Sequence, residues 1–126
     1  MCSKFSIGLR LLVLGLLFGT PMEAAWAHAF PASSVPGDGA TVRESPREVR
    51  IQFTEGVEIE FSQIEVKSPA GEVMNQGKPR RLAADTLAVD LKLLRPGIYT
   101  IEWQVLSVDT HVTEGVLRFT VSPGGK

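Results

Sequence analysis

Apolar and polar residues alternate in short runs along the second two thirds of the chain, the period-two pattern of half-buried β-strands. Val49, Ile51 and Phe53 alternate with Arg50, Gln52 and Thr54. In residues 61–67, Ile64 and Val66 share a face while Phe61 falls out of step, which predicts a bulge near Ser62 and Gln63. Leu87, Val89, Leu91 and Leu93 alternate again, and Tyr99, Ile101, Trp103 and Val105 form the clearest stripe. Leu117, Phe119 and Val121 share a face in a closing strand over 116–122.

Turn signals separate these runs. Val35-Pro36-Gly37-Asp38-Gly39 reads as a loop, and Ser68-Pro69-Ala70-Gly71 as a tight turn leading to Glu72-Val73-Met74. The polar stretch 76–85, with Lys78, Arg80 and Arg81, reads as an exposed loop. No helical periodicity outlasts a turn. Six or more short strands at this spacing predict an all-β, Greek-key β-sandwich. Leu94-Arg95-Pro96-Gly97-Ile98-Tyr99 strengthens that reading, because a strand-opening tyrosine after a turn resembles the tyrosine corner of Ig-like sandwiches. Tyr99 and Trp103 share the inward stripe, which assigns them to the core rather than to a stacking surface.

Residues 1–27 follow another plan. Lys4 and Arg10 precede Leu11-Leu12-Val13-Leu14-Gly15-Leu16-Leu17-Phe18, Thr20-Pro21 breaks that run, and Ala25-Trp26-Ala27 supplies small residues for a cut. The apolar run is far short of the ~20 residues that span a bilayer. We read residues 1–27 as a cleaved secretory signal peptide and 28–126 as one domain. Ala27-His28-Ala29 also fits a small-x-small cut, and cleavage after Ala29 would discard His28.

Removing the signal changes the balance of charge and sulfur. Lys4, Arg10 and Glu23 leave with it, so 99 residues with 11 basic and 13 acidic side chains remain. That suffices for one domain, expected to be monomeric, and the absence of a basic stripe argues against nucleic acid. The sole cysteine, Cys2, is lost too. The exported domain therefore has no disulfide and no thiolate, and any metal must be held by nitrogen and oxygen.

Only two histidines occur, His28 and His111. Cutting after Ala27 makes His28 the first residue, whose free α-amine and ring Nδ1 can close a chelate on one ion. Such donors favour Cu(II) above other divalent metals. The plainer reading leaves His28 solvated, exposed by processing alone. His111 lies in Ser107-Val108-Asp109-Thr110-His111-Val112-Thr113-Glu114-Gly115, between the Trp103 strand and the last one. In an extended segment Asp109 and His111 project to one side, offering one oxygen and one nitrogen to a single ion. With His28 this makes three nitrogens and one oxygen, a tetragonal set that suits Cu(II), then Ni(II), while zinc prefers a tetrahedron. The competing reading is an ordinary polar hairpin loop in which Asp109 caps the turn.

The ordered pieces His28-Ala29, Ser34-Val35-Pro36-Gly37-Asp38-Gly39-Ala40, Phe53-Thr54-Glu55, Leu94-Arg95-Pro96-Gly97-Ile98-Tyr99-Thr100-Ile101-Glu102-Trp103 and Ser107-Val108-Asp109-Thr110-His111 resemble the CopC family of periplasmic copper-binding proteins. The resemblance covers nearly the whole of 28–126. It implies a seven-stranded, cupredoxin-like or Ig-like β-barrel sandwich in the periplasm, with a Cu(II) site of His28, Asp109 and His111. It also implies a CopD-like inner-membrane partner for copper uptake. Glu55 matches a family carboxylate near the site, where it would orient a ligand or water; otherwise it is a solvated glutamate at a strand end. Some relatives carry a methionine-rich loop for Cu(I). Here Met74 is the only methionine after residue 27, and Gln76-Gly77-Lys78-Pro79-Arg80-Arg81 runs where that loop would be, so Cu(II) alone is expected.

Two rivals share some of these features. One is a histidine-brace copper oxygenase similar to lytic polysaccharide monooxygenases; the other is a metal-free Ig-like interaction module. Small size, inward aromatics and an aspartate filling a copper position argue against an enzyme.

Overall fold

Alternation becomes structure in two four-stranded sheets packed face to face. The computed structural model describes residues 28–124, so the signal-peptide reading of residues 1–27 lies outside the described residues. Eight strands follow in order: β1 Pro31–Val35, β2 Ala40–Val42, β3 Glu48–Phe53, β4 Gln63–Lys67, β5 Arg80–Ala83, β6 Thr86–Asp90, β7 Gly97–Leu106 and β8 Val112–Val121. One sheet runs β1-β3-β6-β5 and the other β2-β8-β7-β4. Every pairing is antiparallel except that of β2 with β8. The all-β sandwich expected from the pattern is present.

The core fills the space between the sheets with the predicted stripes. Val49, Ile51 and Phe53 of β3, Ile64 and Val66 of β4, and Leu87 and Val89 of β6 are buried against Tyr99, Ile101, Trp103 and Val105 of β7. Each such side chain contributes about 1.5–3 kcal/mol on burial, and a one-residue slip would turn a whole stripe outward. Register is therefore fixed by the core. Trp103 packs edge-on against Phe53, with ring centroids 5.6 Å apart. Gly115, paired with Trp103 across β7 and β8, leaves room for the indole. A Cβ there would stand 2.8 Å from the ring. The tyrosine corner is formed: the Tyr99 hydroxyl donates to the Arg95 carbonyl at 2.7 Å.

Four local expectations are corrected. Phe61 sits in a one-turn 3-10 helix, Ile59–Phe61, and is exposed, so the break in alternation is that turn and not a bulge. The polar stretch expected to be a loop contains β5, an edge strand whose residues are all exposed. Arg80 bridges Glu48 and Asp90 there, at 2.7 and 2.8 Å. Leu93 is 84% exposed and Leu94 takes the inward place, its amide bonded to the Ser45 hydroxyl at 2.8 Å, because β6 has already ended at Asp90. The last strand starts at Val112, four residues earlier than its apolar stripe suggests.

One end of the sandwich gathers segments distant in sequence. β1 starts beside the end of β3, with Pro31 opposite Phe53. The Phe53 amide donates to the Asp85 carbonyl of the β5–β6 turn, at 2.7 Å. Val57 bridges to Ser107 at the end of β7.

Candidate metal centre

The chain enters this end through three residues that are tied down one after another. Ala29 is fully buried within the core. Its carbonyl accepts the Thr113 hydroxyl at 2.5 Å. The Thr54 hydroxyl donates to the His28 carbonyl at 3.2 Å and accepts the Phe30 amide at 3.0 Å. The Thr54 amide in turn donates to the Phe30 carbonyl at 2.8 Å.

Opposite lies the β7–β8 connection. Ser107, the inward position following Val105, is fully buried. Its amide donates to the His111 carbonyl at 2.8 Å, and its carbonyl accepts the Thr110 amide at 2.8 Å. Its hydroxyl donates to Asp109 Oδ1 and accepts the His111 amide. Thr110 adopts a left-handed backbone with φ of 73°, unusual for a β-branched residue. The segment is thus a tight turn, not the extended strand from which a shared side was expected. Asp109 and His111 still meet, through the turn: His111 Nδ1 lies 3.2 Å from Asp109 Oδ1.

The two histidines come together across the end of the sandwich. Their rings stack with centroids 4.5 Å apart and 19° between planes, and His28 also runs parallel to Phe30 at 6.4 Å. The hydrogen bond from the Ser107 hydroxyl, the largest effect, holds the Asp109 carboxyl below the usual carboxylate range; desolvation opposes it, and the His111 ring adds to the lowering. The Asp109 contact engages His111 Nδ1, and Nε2 is the ring nitrogen left for another partner.

Glu55 follows Thr54 in the loop leaving β3. Its Oε2 is buried without a hydrogen-bond partner. A carboxylate oxygen in that state calls for a water or a cation beside it. The loop carrying it is firmly placed. Arg81 donates to the Val57 carbonyl at 3.0 Å and to the Ala84 carbonyl at 3.2 Å. Gly56 lies under Val108, where a Cβ would come within 3.2 Å of Cγ1.

These donors, two imidazoles and nearby carboxylates, match the nitrogen and oxygen chemistry of a borderline divalent ion. Among the described residues, however, no three His, Cys, Asp or Glu side chains converge as a ready-made metal site. The structure brings His28 to His111 and Asp109 to His111; it shows no contact from Glu55 to any of them. Sequence reasoning missed Thr54, Ser107 and Thr113, which build the frame. Ser107 and Thr113 did carry a signal: each is a hydroxyl on an inward strand position, where burial demands a partner.

Comparison with known proteins agrees with this architecture. The family model described as the CopC domain matches residues 32–122. Protein YobA of Escherichia coli K12 is 34% identical over 119 residues, covering 92% of this chain and 94% of that protein. Among solved structures, CopC from Methylosinus trichosporium OB3b superposes with a TM-score of 0.72 at 31% identity, covering 79% of this chain and 98% of that one. PcoC, a methionine-rich copper resistance protein from Escherichia coli, superposes with a TM-score of 0.67 at 25% identity, covering 76% and 100%. With a match over most of its described length and the same fold, this chain belongs to the CopC family.

Proposed function

We propose that this protein is an exported, periplasmic Cu(II) carrier that binds one ion through His28, Asp109 and His111. His28 contributes its α-amine and Nδ1, Asp109 one carboxylate oxygen and His111 one ring nitrogen. The observation that carries this reading is the stacking of His28 on His111, which juxtaposes the only two histidines of the chain at 4.5 Å. Family membership supports it, since relatives include a copper transport protein of Bacillus subtilis and a copper resistance protein of Xanthomonas campestris. Closing the site requires the His28 ring and the Asp109–His111 pair to turn toward a common point. Glu55, whose buried Oε2 has no hydrogen-bond partner, is assigned the supporting role of orienting a ligand or a bound water.

The donor set of nitrogen and oxygen favours Cu(II) over Cu(I). Met74, the sole thioether after residue 27, is half-buried and packs against the core, where it serves packing rather than soft-metal binding. The methionine-rich character of PcoC has no counterpart here. A carrier role, not oxygenase chemistry, fits the aromatics: among the described residues Phe53, Tyr99, Trp103 and Phe119 are buried, leaving Phe30 and Phe61 as exposed rings. The carrier acts as a monomer, serving copper tolerance, storage or delivery to a CopD-like inner-membrane importer.

The test is a Cu(II) titration of the exported protein against a competing chelator, with the paramagnetic spectrum recorded at one equivalent. One tight ion with nitrogen hyperfine structure supports the reading; no binding above that of a histidine-free variant refutes it.

A further inference from the structure

We propose that Thr113 and Thr54 form a clamp that builds the start of the exported chain into the fold, making Ala29 an anchor that holds the His28 donors against His111. The proposal rests on the copper reading only for its effect on affinity; the clamp itself is a property of the metal-free protein.

Chain ends are ordinarily poorly ordered unless something ties them down. Here the carbonyls of three successive residues are each taken by the domain. The His28 carbonyl accepts the Thr54 hydroxyl, the Ala29 carbonyl accepts the Thr113 hydroxyl, and the Phe30 carbonyl accepts the Thr54 amide. Ala29 has no exposed surface, and Thr113 retains only 8%. Thr113 occupies an inward position on β8, where a hydroxyl without an acceptor would be penalised by burial. The Ala29 carbonyl is that acceptor.

Two consequences follow. The ordering entropy of the terminal donors is met by folding instead of by the ion, so affinity gains from preorganisation. The second concerns processing: a chain cut after Ala29 would lose a core residue and strip Thr113 of its acceptor. Position 29 belongs to the domain, which favours a cut after Ala27 over one after Ala29.

Thr113→Val removes the hydroxyl at nearly constant shape, and Thr113→Ser restores it. In the metal-free exported protein, Thr113→Val should speed amide exchange at Phe30 and aminopeptidase release of His28 by about tenfold or more. The amides of Val49 and Val89 should keep their parental protection, and Thr113→Ser should resemble the parent. Cu(II) affinity should fall by roughly 10-fold in the valine variant alone, the lower range for residues that support ligands. Thr54→Val, at an exposed position, provides a second variant and should also speed exchange at Phe30. Parental exchange and trimming in both valine variants would overturn the clamp. So would equal acceleration at Val49 and Val89, which would make Thr113 a general stability residue, or an exported chain that begins at Phe30. If the parent binds no Cu(II), the copper reading fails while exchange at Phe30 still decides the clamp.

Discussion

His111 meets Asp109 across a single turn, Nδ1 to Oδ1 at 3.2 Å, because Thr110 between them takes a left-handed backbone. Both side chains are partly open to solvent, and neither belongs to the core. Replacing either with alanine should leave the sandwich intact while weakening Cu(II) binding by more than the ~10–100-fold typical of residues that only support a ligand. Glu55→Gln should fall within that smaller range. Chelator competition on the three variants, with circular dichroism as the fold control, decides this; parental affinity in all three would misplace the site.

Copper(I) should find no comparable site. Met74→Leu keeps the volume packed on the core, so stability should change by less than about 1.5 kcal/mol. Cu(II) affinity should be unchanged. Tight Cu(I) binding that survives the substitution would contradict the donor assignment.

Gly115 lies beneath Trp103, where a Cβ would stand 2.8 Å from the ring. Gly115→Ala should overpack that contact and destabilise the fold by about 1–3 kcal/mol. Urea unfolding followed by tryptophan fluorescence would show the loss, and an unchanged midpoint would mean the ring moves aside freely.

How far the sequence reveals these features depends on which face of a strand is buried. The stripe from Tyr99 to Val105 is legible because β7 has one wet face and one dry face. β5 is invisible to the same reasoning: all its residues are exposed, so Arg80–Ala83 carries no alternation at all. β2 is only three residues long and pairs in parallel with β8, a long-range pairing that no local pattern announces. Leu93 misleads because the alternation of β6 continues past the strand's end, after which the chain turns and Leu94 points inward. At the site, His28, Asp109 and His111 could be singled out by residue type and spacing. The reason they come together is less legible: the inward hydroxyls of Ser107 and Thr113 announce that each needs a partner, but not which one, and the Thr110 turn has no signature in the pattern.

Asp85, in the β5–β6 turn, gives a pH dependence that does not involve the histidines. Bonds from Thr86 first and Gln52 second, at 2.8 and 3.3 Å, hold its carboxyl below the usual carboxylate range. A folded value below the unfolded one stabilises the protein above the unfolded value, about 3.9, and the benefit disappears as pH falls through the folded value. Asp85→Asn should therefore lower the melting temperature at pH 7 slightly, with the gap to the parent closing below about pH 4. A gap that stays constant down to pH 2 would show that Asp85 contributes no such linkage.

On the proposed function, the first residue of the exported chain is itself a copper ligand through its free amine. The direct measurement compares Cu(II) affinity and paramagnetic spectra for a protein beginning at His28 and one with a single extra residue ahead of it. The extra residue turns the amine into an amide, which gives up its proton far less readily, while the sandwich and the His28–His111 stack stay as they are. The extended protein should show a large loss of affinity and a changed nitrogen pattern. Equal affinity and identical spectra would contradict that role of the amine, leaving Asp109 and His111 without the chelate that His28 is argued to supply.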